Sequence, residues 1–280
     1  MGEMFDDGMQ VRSEIRRLLV DHDRRPRKAY GQNFLGDPDT VARIVAAAGV
    51  GATTDVVEIG AGTGALTLAL AAAARRVVAY EVDHGLESIL DEVLSGLDNV
   101  DLRFADASRV DFNRSLEGSP WTMVANLPYN IGTGILLDTL QTVPKITRCV
   151  VMVQREVADR LVAPPGSKTY GIPSVIVALY GSARKAFAVP RDVFEPEPRV
   201  DSSVVVIDHV VPPDHADRAV EIASVAFGQR RKMLRRSLTS SLDESVIVSA
   251  GIDPTARPET LAPGDFVAMA AAEAEAEAER

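Results

Sequence analysis

Cysteine is nearly absent: Cys149 is the only one in 280 residues. That excludes a disulfide framework and a cysteine zinc site, and it fits a reducing compartment. Histidine is scarce too. His22, His84, His209 and His215 stand at no close ligand spacing, which argues against a metalloenzyme. No apolar run reaches the roughly 18 residues of a membrane span. The charged start (Glu3, Asp6 and Asp7, then Arg12, Arg16 and Arg17) has no apolar signal-peptide core. The expectation is a cytoplasmic chain with no membrane and no metal partner. What is present, 46% hydrophobic and 25% charged residues, rules out wholesale disorder or a collagen-like chain. The length suits one large domain, or one domain with a small appendage.

The net charge of −10 argues, on its face, against a polyanionic partner. The charge is unevenly spread, however. Residues 273–280 hold Glu273, Glu275, Glu277 and Glu279 against Arg280, whereas 11–30 carry Arg12, Arg16, Arg17, Arg24, Arg25, Arg27 and Lys28 against three acids. Arg230, Arg231, Lys232, Arg235 and Arg236 crowd into 230–236 with no acid among them. Phosphate contact is local and screened over roughly 8 Å, so a basic stripe on an acidic protein still suits RNA. A solvated helix face explains the same stripe.

Seven short apolar runs, most of them separated by helical stretches, set the fold class. They are Val56–Ile59, Val77–Tyr80, Asp101–Phe104, Met123–Ala125, Cys149–Val153, Arg184–Val189 and Ser203–Ile207. Helices are expected over Ala65–Ala74 and Leu86–Leu94 and, less clearly patterned, over 172–180. Buried β-rich runs alternating with helices imply a mostly parallel α/β sheet covered on both faces. The last two runs, close together with no long helix between them, suit an antiparallel hairpin at the sheet edge. Proline and acid at Val211-Pro212-Pro213-Asp214 mark a boundary. Beyond it, 215–270 reads as helices, and Ala270–Arg280 as a frayed or disordered Ala/Glu tail.

Three motifs carry chemistry, each where a strand ends. Glu58-Ile59-Gly60-Ala61-Gly62-Thr63-Gly64 turns a strand into a helix, where glycines let the backbone approach a ligand. Glu81, at the end of the second strand, is placed to accept hydrogen bonds from ribose hydroxyls. This pair alone also satisfies the loose dinucleotide fingerprint of a dehydrogenase. Asp106 ends the third strand and suits an adenine amino group, though a plain turn aspartate fits equally well. Asn126-Leu127-Pro128-Tyr129-Asn130-Ile131 follows the fourth strand and decides between them. An adenine amine is a poor nucleophile because its lone pair is delocalised into the ring. An Asn oxygen and a backbone carbonyl accept both amine hydrogens and favour a tetrahedral nitrogen. Pro128 restricts Leu127 to extended geometry, which holds that carbonyl in place. Tyr129 offers a flat face to a base taken out of its stack.

With these residues in place, the chain resembles the ribosomal RNA adenine dimethyltransferase family from about residue 28 to 241. The likeness includes Gly31-Gln32-Asn33-Phe34-Leu35, the glycine motif with Gly64-Ala65-Leu66-Thr67, Glu81, Asp106 and Asn126–Ile131. It continues through Gln154-Arg155-Glu156-Val157-Ala158, Phe194–Ser202 and Ala226-Phe227-Gly228-Gln229-Arg230-Arg231-Lys232. The resemblance implies a Rossmann-like class I methyltransferase fold with a seven-stranded sheet and a small C-terminal helical domain. It implies S-adenosylmethionine as cofactor, and as substrate two adjacent adenosines near the 3′ end of small-subunit rRNA within the immature ribosomal subunit. Cofactor contacts fall to Asn33, Leu35, Gly60, Gly62, Glu81, Asp106 and Asn126. The target amine falls to Asn126, Pro128 and Tyr129, with Phe194 packing on the base, and rRNA phosphate to Arg230, Arg231, Lys232, Arg235 and Arg236. Ala61 and Gly134 stand where the family usually has proline.

The expected organisation is an extension over 1–27, a methyltransferase domain over 28–211, a helical RNA-binding domain over 212–270 and an acidic tail over 271–280, in a monomer. Alternatives are a large-subunit rRNA adenine methyltransferase conferring antibiotic resistance, or a ribosome-assembly factor whose methylation is secondary or lost.

Overall fold

The computed structural model describes residues 10–118, 120–129 and 131–278. By packing, the chain forms two compact units. One takes the described residues to Ala158 together with Arg184–Asp208, the other Asp159–Ala183 and the described residues from His209 onward. The proline-marked change of pattern at 211–214 lies just past the last of the three crossings between them. Asp159–Ala183 packs with the helical unit although nothing in its composition sets it apart.

The first unit opens with helix α1 (Arg12–Asp21), strand β1 (Phe34–Leu35) and helix α2 (Pro38–Ala48). Strand and helix then alternate through β2 (Asp55–Ile59), α3 (Ala65–Ala73), β3 (Arg76–Glu81), α4 (Glu87–Val93) and β4 (Val100–Phe104). The pattern continues with α5 (Phe112–Ser115), β5 (Trp121–Asn126), α6 (Gly132–Thr142) and β6 (Ile146–Gln154). After helices α7 (Arg155–Leu161) and α8 (Ile172–Tyr180) come β7 (Gly181–Val189), β8 (Phe194–Glu195) and β9 (Ser202–His209).

Seven strands make one sheet in the order β4-β3-β2-β5-β6-β9-β7, and β1 pairs with β8 in a separate two-stranded ribbon. The pairs β2–β3, β3–β4, β2–β5 and β5–β6 are parallel, and β9 runs antiparallel to β6. The mostly parallel seven-stranded α/β sheet, the helix over 172–180 and the two late strands as edge neighbours are all as expected. The central strands are mostly apolar because helices cover both faces: Val56, Val57, Val77, Val124 and Val150 are completely buried. At the edge, β4 carries the exposed Asp101, as an edge strand tolerates. From β2 the chain steps outward to β3 and β4, then returns to the other side of β2 for β5 and β6. That reversal opens a crevice at the carboxyl ends of β2 and β5.

In the second unit, α8 packs on α9 (Ala216–Gly228), which also contacts α10 (Leu234–Ser237). Helix α11 (Glu244–Ser249) and α9 both pack against α12 (Pro263–Ala278) around buried Ile222, Ala226, Phe266 and Met269. The acidic tail corrects the expectation of fraying. Helix α12 runs unbroken to Ala278, because alanine and glutamate are strong helix formers. Ala270 is buried, and Glu273 accepts a two-point ion pair from Arg218 at 2.6 and 2.7 Å. Glu279 and Arg280 lie outside the described residues.

Candidate active site

Strand β2 delivers the chain into Gly60–Gly64, from which α3 departs. Gly62 takes a φ of 59°, and a Cβ there would sit 3.0 Å from the Phe34 ring, so both conformation and space require glycine. This turn aims the Gly62 amide at Glu81, whose Oε2 accepts from it at 2.8 Å. The Glu81 Oε1 accepts from the Val82 and Asp83 amides at 2.9 and 2.8 Å. Three backbone donors therefore fix the orientation of one carboxylate. Burial still dominates its ionisation and pushes its pKa above the usual carboxylate range, with the three amides pulling it back.

Glu81 lines a cleft with about 900 Å³ of empty space, part of it open to solvent. Asn33, Leu35, Gly60, Gly62, Asp106, Asn126, Pro128 and Tyr129 line the same cleft. Nine positions expected from the sequence to act together thus meet at one crevice. Asp106 also caps a turn. Its Oδ1 accepts from the Ser108 hydroxyl and amide at 2.6 and 3.0 Å, and these bonds hold its pKa low. The turn role of that aspartate is therefore present, and the same residue lines the cleft.

On the β5 side, Asn126 Nδ2 donates to the Asn33 carbonyl at 3.1 Å, across 93 residues of chain. Asn33 Nδ2 donates in turn to the Gly31 carbonyl at 3.0 Å. With its amide nitrogen committed, Asn126 keeps Oδ1 as an acceptor. The loop that follows is pinned at both ends. Leu127 N–H donates to the Met152 carbonyl at 3.1 Å, and Gly132 N–H to the Pro128 carbonyl at 2.8 Å. Tyr129 is half-buried, its hydroxyl bonded to Ser202 Oγ at 2.9 Å, and burial raises its pKa. Asn130 lies outside the described residues.

Two expectations are corrected. Phe194 is completely buried, paired with Leu35 in the β1–β8 ribbon and packed in the core, so it presents no face to a base in this structure. Arg230 is not a free phosphate ligand. Its guanidinium bonds Glu259 at 2.8 Å and donates to the Ser167 and Lys168 carbonyls at 3.4 and 3.0 Å. Arg231, Lys232, Arg235 and Arg236, also in the second unit, are exposed.

The structure adds residues to which the sequence assigned no role. Glu58 is buried at the cleft with neither carboxyl oxygen hydrogen-bonded, and burial pushes its pKa up to about 8. Asp83 accepts from Arg27 at 3.0 Å and from Gln32 Nε2 at 2.9 Å, fastening the loop that carries Asn33. A Cβ on Gly132 would lie 2.5 Å from the Leu127 Cβ, so only glycine allows that turn to close. Among the described residues, no group of three or more His, Cys, Asp or Glu side chains stands close enough to hold a metal ion, and no helix is long and apolar enough to cross a membrane.

A family model for ribosomal RNA adenine dimethylase matches residues 24–274. The chain belongs to this family. It is 43% identical to the ribosomal RNA small subunit methyltransferase A of Nocardia farcinica, over 92% of this chain and 94% of that one. It is 44% identical to the protein of the same name in Paenarthrobacter aurescens, over 93% and 92%. Among solved structures, the 23S rRNA methyltransferase ErmE aligns with a TM-score of 0.67 and 27% identity, covering 86% of this chain and 99% of that one. A dimethyladenosine transferase from Plasmodium falciparum aligns with a TM-score of 0.70, covering 84% and 95%; at 23% identity it speaks for the fold alone.

Proposed function

We propose that this member of the rRNA adenine dimethylase family dimethylates the exocyclic amines of two adjacent adenosines near the 3′ end of small-subunit rRNA, with S-adenosylmethionine as donor. The observation that carries the reading is the Asn33–Asn126 bond, which leaves an amide oxygen aimed as an acceptor in the same cleft as a carboxylate fixed by three amides.

The cleft suits the donor. A cationic, hydroxyl-bearing ligand needs acceptors, and Glu58 and Glu81 supply buried carboxyl groups, Glu58 with no partner of its own. Glu81 would hold ribose hydroxyls, Asp106 the adenine amine, and the Gly60–Gly62 turn the close approach of the ligand. When bound, S-adenosylmethionine supplies a methyl group on a sulfonium, an activated leaving group that needs no metal.

The chain's own work is to prepare the acceptor. Asn126 Oδ1 and the Leu127 carbonyl accept the two hydrogens of the target amine, localising the nitrogen lone pair. Tyr129 supplies the surface on which the extruded base rests. Catalysis is then positioning and polarisation by groups already fixed before substrate arrives. Arg231, Lys232, Arg235 and Arg236 contact rRNA phosphate, in a cytoplasmic monomer that meets its substrate in the immature subunit.

The test is methyl transfer from labelled S-adenosylmethionine onto unmethylated small-subunit particles, followed by nucleoside analysis, with Asn126→Ala in parallel. Dimethyladenosine in the small-subunit rRNA, lost in the variant, is the expected result. Label appearing only in large-subunit rRNA would move the substrate to the other subunit. Tight particle binding with no label would make the chain an assembly factor.

A further inference from the structure

The segment ahead of residue 24 lies outside the family match. Its first described residue, Gln10, is 4% exposed, a degree of burial uncommon for a polar side chain. The Gln10 side-chain amide bonds Thr63 through both its nitrogen and its oxygen. Nε2 donates to the Thr63 carbonyl at 2.6 Å, and Oε1 accepts from the Thr63 hydroxyl at 2.7 Å. Thr63 is itself 2% exposed, lines the cleft, and stands between Gly62 and Gly64, both at positive φ.

The start of the glycine turn is held by the Gly60 and Ala61 amides on the Tyr80 carbonyl at 2.8 and 3.1 Å, and its end by the Gly64 amide on the Ala61 carbonyl at 2.9 Å; at Thr63 the hold comes from Gln10. Glycines on both sides of Thr63 give the backbone freedom that packing must remove. The reciprocal bonds fix the carbonyl and the hydroxyl of Thr63, the residue between the two glycines. One residue earlier, the Gly62 amide must stay on Glu81 to keep that carboxylate aimed. Gln10 is held in its turn. It lies just ahead of α1, whose Ile15, Leu18 and Leu19 are buried in the same core as Phe34, Ala61 and Leu66. Arg12 and Arg16 tie the helix to Glu195, and His22 bonds Glu92 on α4 at 2.8 Å.

We propose that Gln10 is a positioning residue for donor binding: through Thr63 it locks the glycine turn in the form that presents Glu81 to S-adenosylmethionine. The inference rests on the cleft being the donor site. Removing the Gln10 amide strands a buried carbonyl and a buried hydroxyl, so the turn relaxes towards water and the binding-competent form is less populated.

The experiment uses the full chain and measures S-adenosylmethionine affinity by calorimetry, methyl-transfer kcat and KM, and thermal melting. Gln10→Ala is expected to raise Kd and KM for the donor about 10-fold, with kcat at saturating donor within about 2-fold of wild type. Thr63→Val, which removes only the hydroxyl bond and keeps the volume, is expected to raise Kd several-fold and serves if Gln10→Ala does not fold. The double variant should be no weaker than the weaker single variant, because both act through one link. Unchanged donor affinity in both singles, even with a lowered Tm, would leave Gln10 a purely structural anchor and overturn the proposal. Effects that multiply in the double variant would overturn it as well. A wild-type chain that bound no S-adenosylmethionine at all would instead overturn the assignment of the cleft.

Discussion

Asn126 and Asn33 are joined by a hydrogen bond of 3.1 Å that commits the Asn126 amide nitrogen and leaves its oxygen as an acceptor. The Asn33 carbonyl takes the nitrogen, and the oxygen is the group proposed to hold the target amine. Asn126→Ala is therefore expected to lower kcat about 10²-fold, the usual cost of one preorganised polar group. Asn126→Asp should be nearly as poor, because a carboxylate oxygen placed against the Asn33 carbonyl is repelled and the side chain turns away. Single-turnover methylation at saturating donor checks both. An alanine variant with wild-type turnover would remove Asn126 from the chemistry.

Glu81 spends lone pairs of both oxygens on the Gly62, Val82 and Asp83 amides, so its remaining acceptor capacity points into the cleft already oriented. Glu81→Ala is expected to weaken donor binding by about 1.5–3 kcal/mol, the range for hydrogen bonds to a charged group. Glu81→Gln should lose most of that affinity too, since one of its two terminal atoms becomes a donor facing backbone N–H groups. Calorimetric titration with S-adenosylmethionine reads both. Affinity unchanged in the alanine variant would free Glu81 from the ribose role.

The sheet was legible in the sequence because its central strands are buried on both faces and read as short, mostly apolar runs. The cleft was legible because three of its motifs follow strand ends, and in an open α/β sheet strand ends share one crevice. What escaped depends on contacts across long stretches of chain. The burial of Phe194 follows from the β1–β8 ribbon, which pairs residues 34–35 with 194–195 and leaves no periodic signal. Arg230 looks like its basic neighbours until Glu259 and the Ser167 and Lys168 carbonyls are folded against it. Composition misleads at the Ala/Glu tail, since the same residues that make a polar low-complexity stretch also make a good helix once one face finds a partner.

Glu58 gives the fold a pH dependence of known sign. Burial raises its pKa to about 8, well above an ordinary carboxylate, against the opposing pull of the Thr67 hydroxyl. The folded chain thus keeps a proton that the unfolded chain releases at lower pH. The stability from the neutral form is complete below the ordinary carboxylate pKa and is lost as pH rises through about 8. Glu58→Gln, which keeps the shape and carries no titrating proton, should gain in Tm relative to wild type between about pH 5 and pH 9, by several degrees. Melting curves of both proteins without donor test this. A difference between them that stayed constant with pH would show that Glu58 does not titrate in this range.

Gly132 should be as intolerant as the residues that touch substrate. An added Cβ would meet the Leu127 Cβ at 2.5 Å, and Leu127 sits between Asn126 and Pro128. Gly132→Ala must push that loop aside, displacing the carbonyl that the next proline orients, and a misplacement of about 1 Å costs on the order of 10²-fold in rate. Donor affinity should change little, because Glu81 and the glycine turn lie on the β2–β3 side. Normal kcat in Gly132→Ala would mean the loop adjusts without moving the acceptor groups.

The basic segment separates into two kinds of residue that one experiment distinguishes. Arg231, Lys232, Arg235 and Arg236 are exposed, whereas Arg230 is held by Glu259 and two carbonyls. If the exposed four neutralise rRNA phosphates, each alanine substitution should flatten the slope of log affinity against log salt by about 0.7–0.9. Arg230→Ala should leave that slope alone and instead lower Tm by about 2–4 °C, the effect of losing a partly exposed bonded pair in a chain of this size. Binding to small-subunit particles across a salt series, alongside melting curves, gives both quantities. A salt slope that fell equally for Arg230→Ala would mean that Arg230 leaves Glu259 to reach the RNA. A slope unmoved by the other four would return the stripe to a solvated helix face.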